Sequence, residues 1–169
     1  MLLLTIQSWK RLYETHWVNI FSETKIDISH YFVGYLHYFG AVLAILIEAP
    51  GFAGTTGPFR LSVSDLTVQS IATAMIFLWA SHQQLVCATI LGDLRRNVKG
   101  KVVSYKHKIP EGGMFEWLSA PHLICEIVMY AALTMILLGN STWLFVFGWV
   151  LINQVSTPIL EEFFEYYVL

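Results

Sequence analysis

Four stretches of the chain are almost continuously apolar over the length that a helix needs to cross a lipid bilayer. They run from about residue 31 to 49, from 68 to 91, from 118 to 138 and from 143 to 160. A transmembrane helix requires roughly 20 mostly apolar residues to cross a hydrocarbon core of about 30 Å. Residues 2–9 are also apolar but too short for a span, so we expect an interfacial or partial helix there. The pattern predicts an all-α, multi-span transmembrane helical bundle with about four membrane helices.

The composition favours the same class. Of the 169 residues, 56% are hydrophobic and 13% are charged, and the mean hydropathy is +0.57. A soluble domain carries about 25% charged residues, so a water-soluble domain is not expected. The two cysteines, Cys87 and Cys125, fall inside apolar runs, where we expect small buried side chains and no disulfide framework.

The basic residues predict an orientation. If the four spans alternate in direction, nine of the ten lysines and arginines lie on one side of the membrane, and only Arg60 lies on the other. Six of the ten fall between Arg95 and Lys108, in the linker 92–113. Because an excess of lysine and arginine marks cytosolic loops, we expect this linker to be cytosolic and the loop 50–66 to face the lumen or the outside.

The end of that linker is a candidate phosphate site. Pro110 and the pair Gly112-Gly113 follow the basic residues, and glycine permits a close approach of the backbone to a ligand. A helix is expected next, and a helix N-terminus offers free N–H groups that suit a phosphate. The basic residues also fit a purely topological role, and the glycines also fit a plain loop-to-helix cap. The local pattern does not choose between these interpretations.

The third apolar stretch carries polar residues at helical spacing. Ser119, His122, Glu126 and Tyr130 follow one another at intervals of three, four and four residues, which places them on one helix face. An ionisable residue inside a membrane costs at least about 2.5 kcal/mol, so we expect Glu126 to face protein, ligand or water. The alternatives are a ligand site and a structural hydrogen bond or ion pair with the region His82–Gln84.

Two further groups of polar residues lie inside apolar stretches. They are His82, Gln83 and Gln84 in the second stretch, and Asn153 and Gln154 in the fourth. Such residues either hold neighbouring helices together or line a cavity, and both interpretations stay open.

Several kinds of site are not indicated. The six histidines form no cluster with the spacing of a membrane metal centre, and neither a phosphate-binding loop nor a serine nucleophile motif occurs. Basic residues do not alternate with aromatic ones as a nucleic-acid surface requires. We therefore predict no metal and no nucleic-acid partner.

One continuous segment resembles a known family. LGDLRRN at 91–97 and KIPEGGMFEWLSAPHLICE at 108–126 resemble the C-terminal region of the steroid 5α-reductase family, and within it the polyprenol reductase branch. KRLYE at 10–14 and the pair His82-Gln83 also resemble that branch. We expect residues 1–169 to form a single membrane domain, part of the 3-oxo-5α-steroid 4-dehydrogenase C-terminal domain, whose match is most specific over 82–126.

The resemblance implies a multi-pass enzyme of the endoplasmic-reticulum membrane that uses NADPH. Enzymes of that branch reduce the α-isoprene double bond of a polyprenol or its aldehyde, a lipid substrate, in the synthesis of dolichol for protein N-glycosylation. Carried over by position, the residues implied to contact the cofactor are Arg95, His107, His122 and Glu126, with Asn97, Lys108 and Gly113 close to them.

The chain departs from the family pattern at both ends. The family has further spans upstream, including a helix whose glutamate polarises the substrate, and an aromatic, histidine- and arginine-rich tail, whereas this sequence ends in ILEEFFEYYVL at 159–169. We therefore expect a partial chain and assign no proton donor.

Two alternatives to a reductase remain. The first is an inactive member of the same family that binds lipid or a protein partner. The second is a membrane methyltransferase, although six basic charges suit a phosphorylated cofactor better than S-adenosylmethionine. A transporter is disfavoured because no inverted repeat is visible.

Overall fold

The structure, a computed structural model, describes residues 1–21, 28–49, 66–103 and 109–168. Within these ranges it does not describe the side chains of His30 and of residues 157–168. Arg60 and the predicted cofactor residues His107 and Lys108 lie outside the described residues. Most of the loop 50–66 also lies outside the described residues.

The described residues fold into five α-helices and two short helical turns. The bounds are Leu2–Tyr13 for α1, Ile28–Ile47 for α2, Val68–Asp93 for α3, Pro121–Ile136 for α4 and Ser141–Val168 for α5. A π-helical turn, Glu14–Val18, extends α1, and a 3₁₀ helix, Gly113–Glu116, precedes α4. The all-α prediction is confirmed for the described ranges, which contain no β-strand beyond an isolated bridge between Arg96 and Val102.

Capping residues explain where α3 and α4 begin. The Thr67 side chain accepts a hydrogen bond from the Ser70 backbone N–H at 3.1 Å, which is an N-cap that satisfies one of the free donors of the first turn. α4 begins at Pro121, because proline is well suited to the first helical position. The predicted start at residue 118 is therefore three residues too early, and Ser119 precedes the helix.

One described helix, α3, is long and apolar enough to cross a membrane. Two shorter apolar helical stretches, Tyr31–Ile47 and Pro121–Ile136, accompany it. The prediction of about four spans thus stays a prediction.

The core lies between α2, α3, α4 and α5. Phe77 and Ala80 of α3, Met129 of α4 and Trp143 of α5 are each 0–1% exposed. Ala41 and Ala44 of α2 join the same cluster, and such small side chains allow helix backbones to approach closely. α1 packs on α3. Both cysteines are free and buried, as predicted.

The connection between α4 and α5 is held by side chains at the N-terminus of α5. The Asn140 Oδ1 atom accepts the Trp143 backbone N–H at 2.6 Å, and its Nδ2 atom donates to the Ala44 carbonyl at 3.0 Å. The Glu48 carboxylate, just beyond the end of α2, accepts backbone N–H groups from Ser141 and Thr142 at 3.0 and 2.7 Å. Asn140 and Glu48 together attach α5 to α2.

We expect Asn140→Ala to lower the free energy of unfolding by about 1 kcal/mol, because the substitution removes the N-cap of α5. Asn140→Ser is the matched control, since a serine oxygen can still cap the helix. Urea titration in detergent micelles measures both. Equal losses for the two variants would contradict the capping role.

Candidate functional site

A buried glutamine, Gln84 of α3, joins three helices. Its Oε1 atom accepts hydrogen bonds from the Gln7 side chain at 3.0 Å and from Lys10 Nζ at 2.6 Å, both on α1. Its Nε2 atom lies 3.3 Å from the Glu126 carboxylate and 3.4 Å from the His122 carbonyl on α4. Gln84 is only 3% exposed, and an unpaired amide there would cost about 1–3 kcal/mol. Its partners therefore fix α1 and α4 relative to α3.

A buried carboxylate lies at the end of α1. Glu14 is fully buried and pairs with Lys10 Nζ at 3.2 Å and with Arg11 Nη1 at 2.8 Å. The spacings of four and three residues bring each cation within reach of the same carboxylate. Burial lowers the pKa of Lys10, and the Glu14 carboxylate opposes that shift.

A cavity of about 210 Å³ opens beside this cluster, between α1, α2 and α4. Each of the three helices contributes both apolar and hydrogen-bonding side chains to its lining. The polar lining residues are Gln7, Ser8, Arg11, Tyr38, Glu126 and Tyr130. An arginine and a glutamate thus face one small space in the bundle.

The Tyr130 hydroxyl is held at the edge of this cavity. It lies 2.6 Å from His37 Nε2 of α2, and the tyrosine ring stacks on Trp143 with centroids 5.8 Å apart. Tyr130 is 8% exposed, so its ring is fixed by packing while its hydroxyl keeps a polar partner.

The predicted stripe on the third span is partly present. Glu126 and Tyr130 line the same cavity, and His122 lies one turn earlier, half-buried, with its carbonyl bound by Gln84. Ser119 is exposed and lies before the helix, so it is not part of the stripe. The hydrogen bond that the structural alternative predicts for Glu126 is present, since the Gln84 amide donates to its carboxylate at 3.3 Å, and a ligand site at Glu126 stays a prediction.

Arg95 and Asn97 make local contacts. Arg95 donates a hydrogen bond to the Ile20 carbonyl, which ties the end of α3 to the segment after α1. The Asn97 Oδ1 atom accepts the backbone N–H groups of Lys99 and Lys101 at 3.0 and 2.9 Å, within a tight turn. Among the described residues, Arg11 of α1 lines the same cavity as Glu126, and Lys10 of α1 shares Gln84 with it, whereas the sequence pointed to the linker.

The glycine pair lies where the chain turns toward α4. Gly112 and Gly113 have φ angles of +90° and +58°, which other residues rarely adopt. A Cβ atom at Gly113 would lie 3.3 Å from the Ile90 side chain. The glycines thus let the 3₁₀ helix lie against α3, and the predicted α-helix does not begin until Pro121.

Sequence reasoning did not assign Lys10, Arg11 and Glu14 to the site. Lys10 and Arg11 were among the basic residues that predict the orientation, and KRLYE was part of the family resemblance. Neither pattern indicated a buried ion pair. The spacing of three and four residues between these charges, just after an apolar segment, was the available signal. Among the described residues, no group of three histidine, cysteine, aspartate or glutamate side chains is arranged to hold a metal ion.

Comparisons with known proteins identify relatives along nearly the whole chain. Residues 58–167 match the family described as 3-oxo-5-alpha-steroid 4-dehydrogenase. A polyprenal reductase of Drosophila melanogaster is 41% identical over 172 residues, which cover 97% of this chain and 53% of the relative. The polyprenal reductase of Homo sapiens is 31% identical, with 97% and 52% covered. That of Caenorhabditis elegans is 28% identical, with 96% and 52% covered. No solved structure matches.

The chain spans about half the length of the curated relatives it matches.

We expect Glu14→Gln to lower the free energy of unfolding by about 3 kcal/mol, because it leaves two cations without a buried counter-charge. Asp93→Asn is the matched control: its ion pair with Arg96, at 3.5 Å, is 64% exposed on the aspartate side, and exposed pairs contribute about 0–1 kcal/mol. Urea titration followed by tryptophan fluorescence measures both variants. Equal losses of unfolding free energy in the two variants would contradict a buried, ion-paired Glu14.

Proposed function

Because this chain belongs to the 3-oxo-5-alpha-steroid 4-dehydrogenase family, we propose that it forms part of an NADPH-dependent oxidoreductase that reduces a carbon–carbon double bond. The names of its relatives support a polyprenol or polyprenal substrate. The reaction would reduce the α-isoprene double bond and lead to dolichol for protein N-glycosylation.

The arrangement of Glu126 is the single observation that supports this proposal most. Glu126 lies in an apolar helix, and its carboxylate accepts a hydrogen bond from a buried amide. Glu126 also lines a cavity that Arg11 and Tyr130 line as well. A membrane protein places an ionisable residue at such a depth mainly for function. The side chains around the cavity include both hydrogen-bond donors and an acceptor, as recognition of a polar ring or an oxygen atom requires.

We propose that the cavity takes one reacting end of a ligand. Its volume of about 210 Å³ is below the range of roughly 300–1,000 Å³ that is usual for small-molecule sites. The described cavity therefore suits a nicotinamide-sized group or the head of the substrate, while the phosphates need another surface. We propose the basic linker 92–113 for that role. The full set proposed to contact the cofactor is Arg95, Asn97, His107, Lys108, Gly113, His122 and Glu126.

The residues of this chain would orient the reactants. NADPH, when bound, supplies the hydride. Glu126 would accept hydrogen bonds from the polar groups of the cofactor, and Gln84 would hold its carboxylate in place. Arg11 and Tyr130 can donate hydrogen bonds to an oxygen of the substrate, and Glu14 keeps Arg11 in position through their ion pair.

The proposal includes a location and an orientation. We propose a multi-pass protein of the endoplasmic-reticulum membrane with the linker 92–113 on the cytosolic side, and residues 1–169 as one membrane domain. The apolar helix α3 and the basic residues of the linker support this.

An inactive lipid-binding or partner-binding relative is the second candidate. The contacts of Arg95 with the Ile20 carbonyl and of Glu126 with Gln84 favour it, since both side chains have partners within the chain. A membrane methyltransferase has no such support.

We expect the purified chain in detergent to bind NADPH saturably, as measured by energy transfer from tryptophan. Glu126→Gln should weaken binding by about tenfold through loss of a charge-assisted hydrogen bond, and the amide can still accept from Gln84. Arg95→Ala should weaken binding to a similar extent, with partial rescue by Arg95→Lys.

Glu116→Gln is the control for Glu126→Gln, because Glu116 is exposed in the 3₁₀ helix and the chemical change is the same. Absence of saturable NADPH binding by the unsubstituted chain would contradict the proposal and favour the inactive relative.

A further inference from the structure

A second space in the bundle is an open apolar groove of about 380 Å³ between α2 and α5. Its lining residues are apolar except for one histidine and one threonine. They are Val33, Leu36, His37, Gly40, Ala44, Thr142, Phe145, Val146 and Trp149. Leu36 and Phe145 are 73% and 81% exposed, so the groove opens at the surface of the bundle, where lipid chains would lie.

The groove and the polar cavity have a boundary in common. His37 lines the groove, and its Nε2 atom lies 2.6 Å from the Tyr130 hydroxyl, which lines the cavity. The two spaces lie on adjacent faces of α2, since Tyr38 and Ala41 line the cavity while His37 and Gly40 line the groove. One hydrogen-bonded pair thus lies between a polar cavity and an apolar groove.

The sizes and linings of the two spaces match the two parts of an amphipathic lipid. The cavity of about 210 Å³ has room for a small oxygenated head, but a long chain attached to that head must leave it. Apolar chain is stabilised by about 25 cal/mol per Å² of surface that it removes from water. In a bilayer this gain in free energy is small, because a prenyl chain that enters the groove leaves an environment that is already apolar. The groove must therefore distinguish a prenyl chain from other lipid chains by shape.

We propose that the groove between α2 and α5 binds the prenyl chain of the substrate, with the His37–Tyr130 pair positioning the first isoprene units at the entrance to the polar cavity. This inference rests on the proposed function for the identity of the lipid. It adds a binding site for the chain that is separate from the cofactor residues.

Glycine in α2 offers a way to fill the groove without disturbing the backbone. A Cβ atom at Gly40 would meet nothing within 4 Å, so a larger side chain there extends into the open space. Gly34 lies in the same helix, where a Cβ atom would also meet nothing within 4 Å, and it does not line the groove. Gly40→Leu and Gly34→Leu therefore differ in the position of the added side chain and share the chemical change.

The test is photo-crosslinking in phosphatidylcholine nanodiscs with a polyprenol that carries a diazirine on an isoprene unit near its head. We expect labelling of α2 and α5 at groove residues such as Leu36 and Phe145, mapped by mass spectrometry. Gly40→Leu should reduce this labelling by about tenfold, and Gly34→Leu should leave it unchanged. Excess unlabelled polyprenol should compete, whereas extra phosphatidylcholine should not.

Three results would overturn the inference: labelling spread over other helices, equal competition by phosphatidylcholine, or equal loss in the two glycine variants. Thermal unfolding of each variant identifies a loss that is caused by misfolding, and the labelling map of the unsubstituted chain tests the inference even then. The crosslinking measurement does not require that the protein reduce the polyprenol. Groove labelling without NADPH binding would therefore support the prenyl site while contradicting the proposed reductase.

Discussion

The burial of charged and amide side chains between α1, α3 and α4 is the constraint on which the rest of the structure depends. Glu14 is fully buried and Gln84 nearly so, and each would destabilise the bundle if its partners were lost. Lys10 contacts both, since its Nζ atom forms an ion pair with Glu14 at 3.2 Å and donates a hydrogen bond to Gln84 at 2.6 Å. The position of α1 on the bundle is thus set by hydrogen bonds as well as by apolar packing.

This constraint determines what the candidate site contains. With α1 held on α3, Arg11 faces the same cavity as Glu126 and Tyr130, although more than a hundred residues separate it from them in sequence. On the other side of the His37–Tyr130 pair, α2 and α5 leave an apolar groove. A cavity with polar residues and an apolar groove therefore lie next to each other, which is the arrangement that the proposed lipid substrate requires.

The four long apolar stretches were sufficient to predict α2 to α5, because a continuous apolar run of about 20 residues favours a helix. The predicted start of the second span, Val68, is the observed start of α3. The helix of the third apolar stretch, α4, begins later than predicted because Pro121 starts it. The apolar content of a sequence does not reveal such a boundary.

The candidate site was less accessible to sequence reasoning. Glu126 stood out because a carboxylate in an apolar run has few explanations, and its contact with Gln84 was among the alternatives. The contribution of α1 was missed, since the pairs Lys10–Gln84 and Gln7–Gln84 join residues 74 and 77 positions apart, which no local pattern reveals. Conversely, the basic linker suggested a ligand for Arg95, whereas its observed partner is the Ile20 carbonyl.

A double-mutant cycle between Lys10 and Gln84 tests the central claim most directly. The free energies of unfolding of Lys10→Met, Gln84→Leu and the double variant would be measured in detergent micelles. A buried hydrogen bond to a charged group predicts a coupling energy of about 1.5–3 kcal/mol. Additivity of the two substitutions within about 0.5 kcal/mol would contradict the attachment of α1 to the bundle through Gln84.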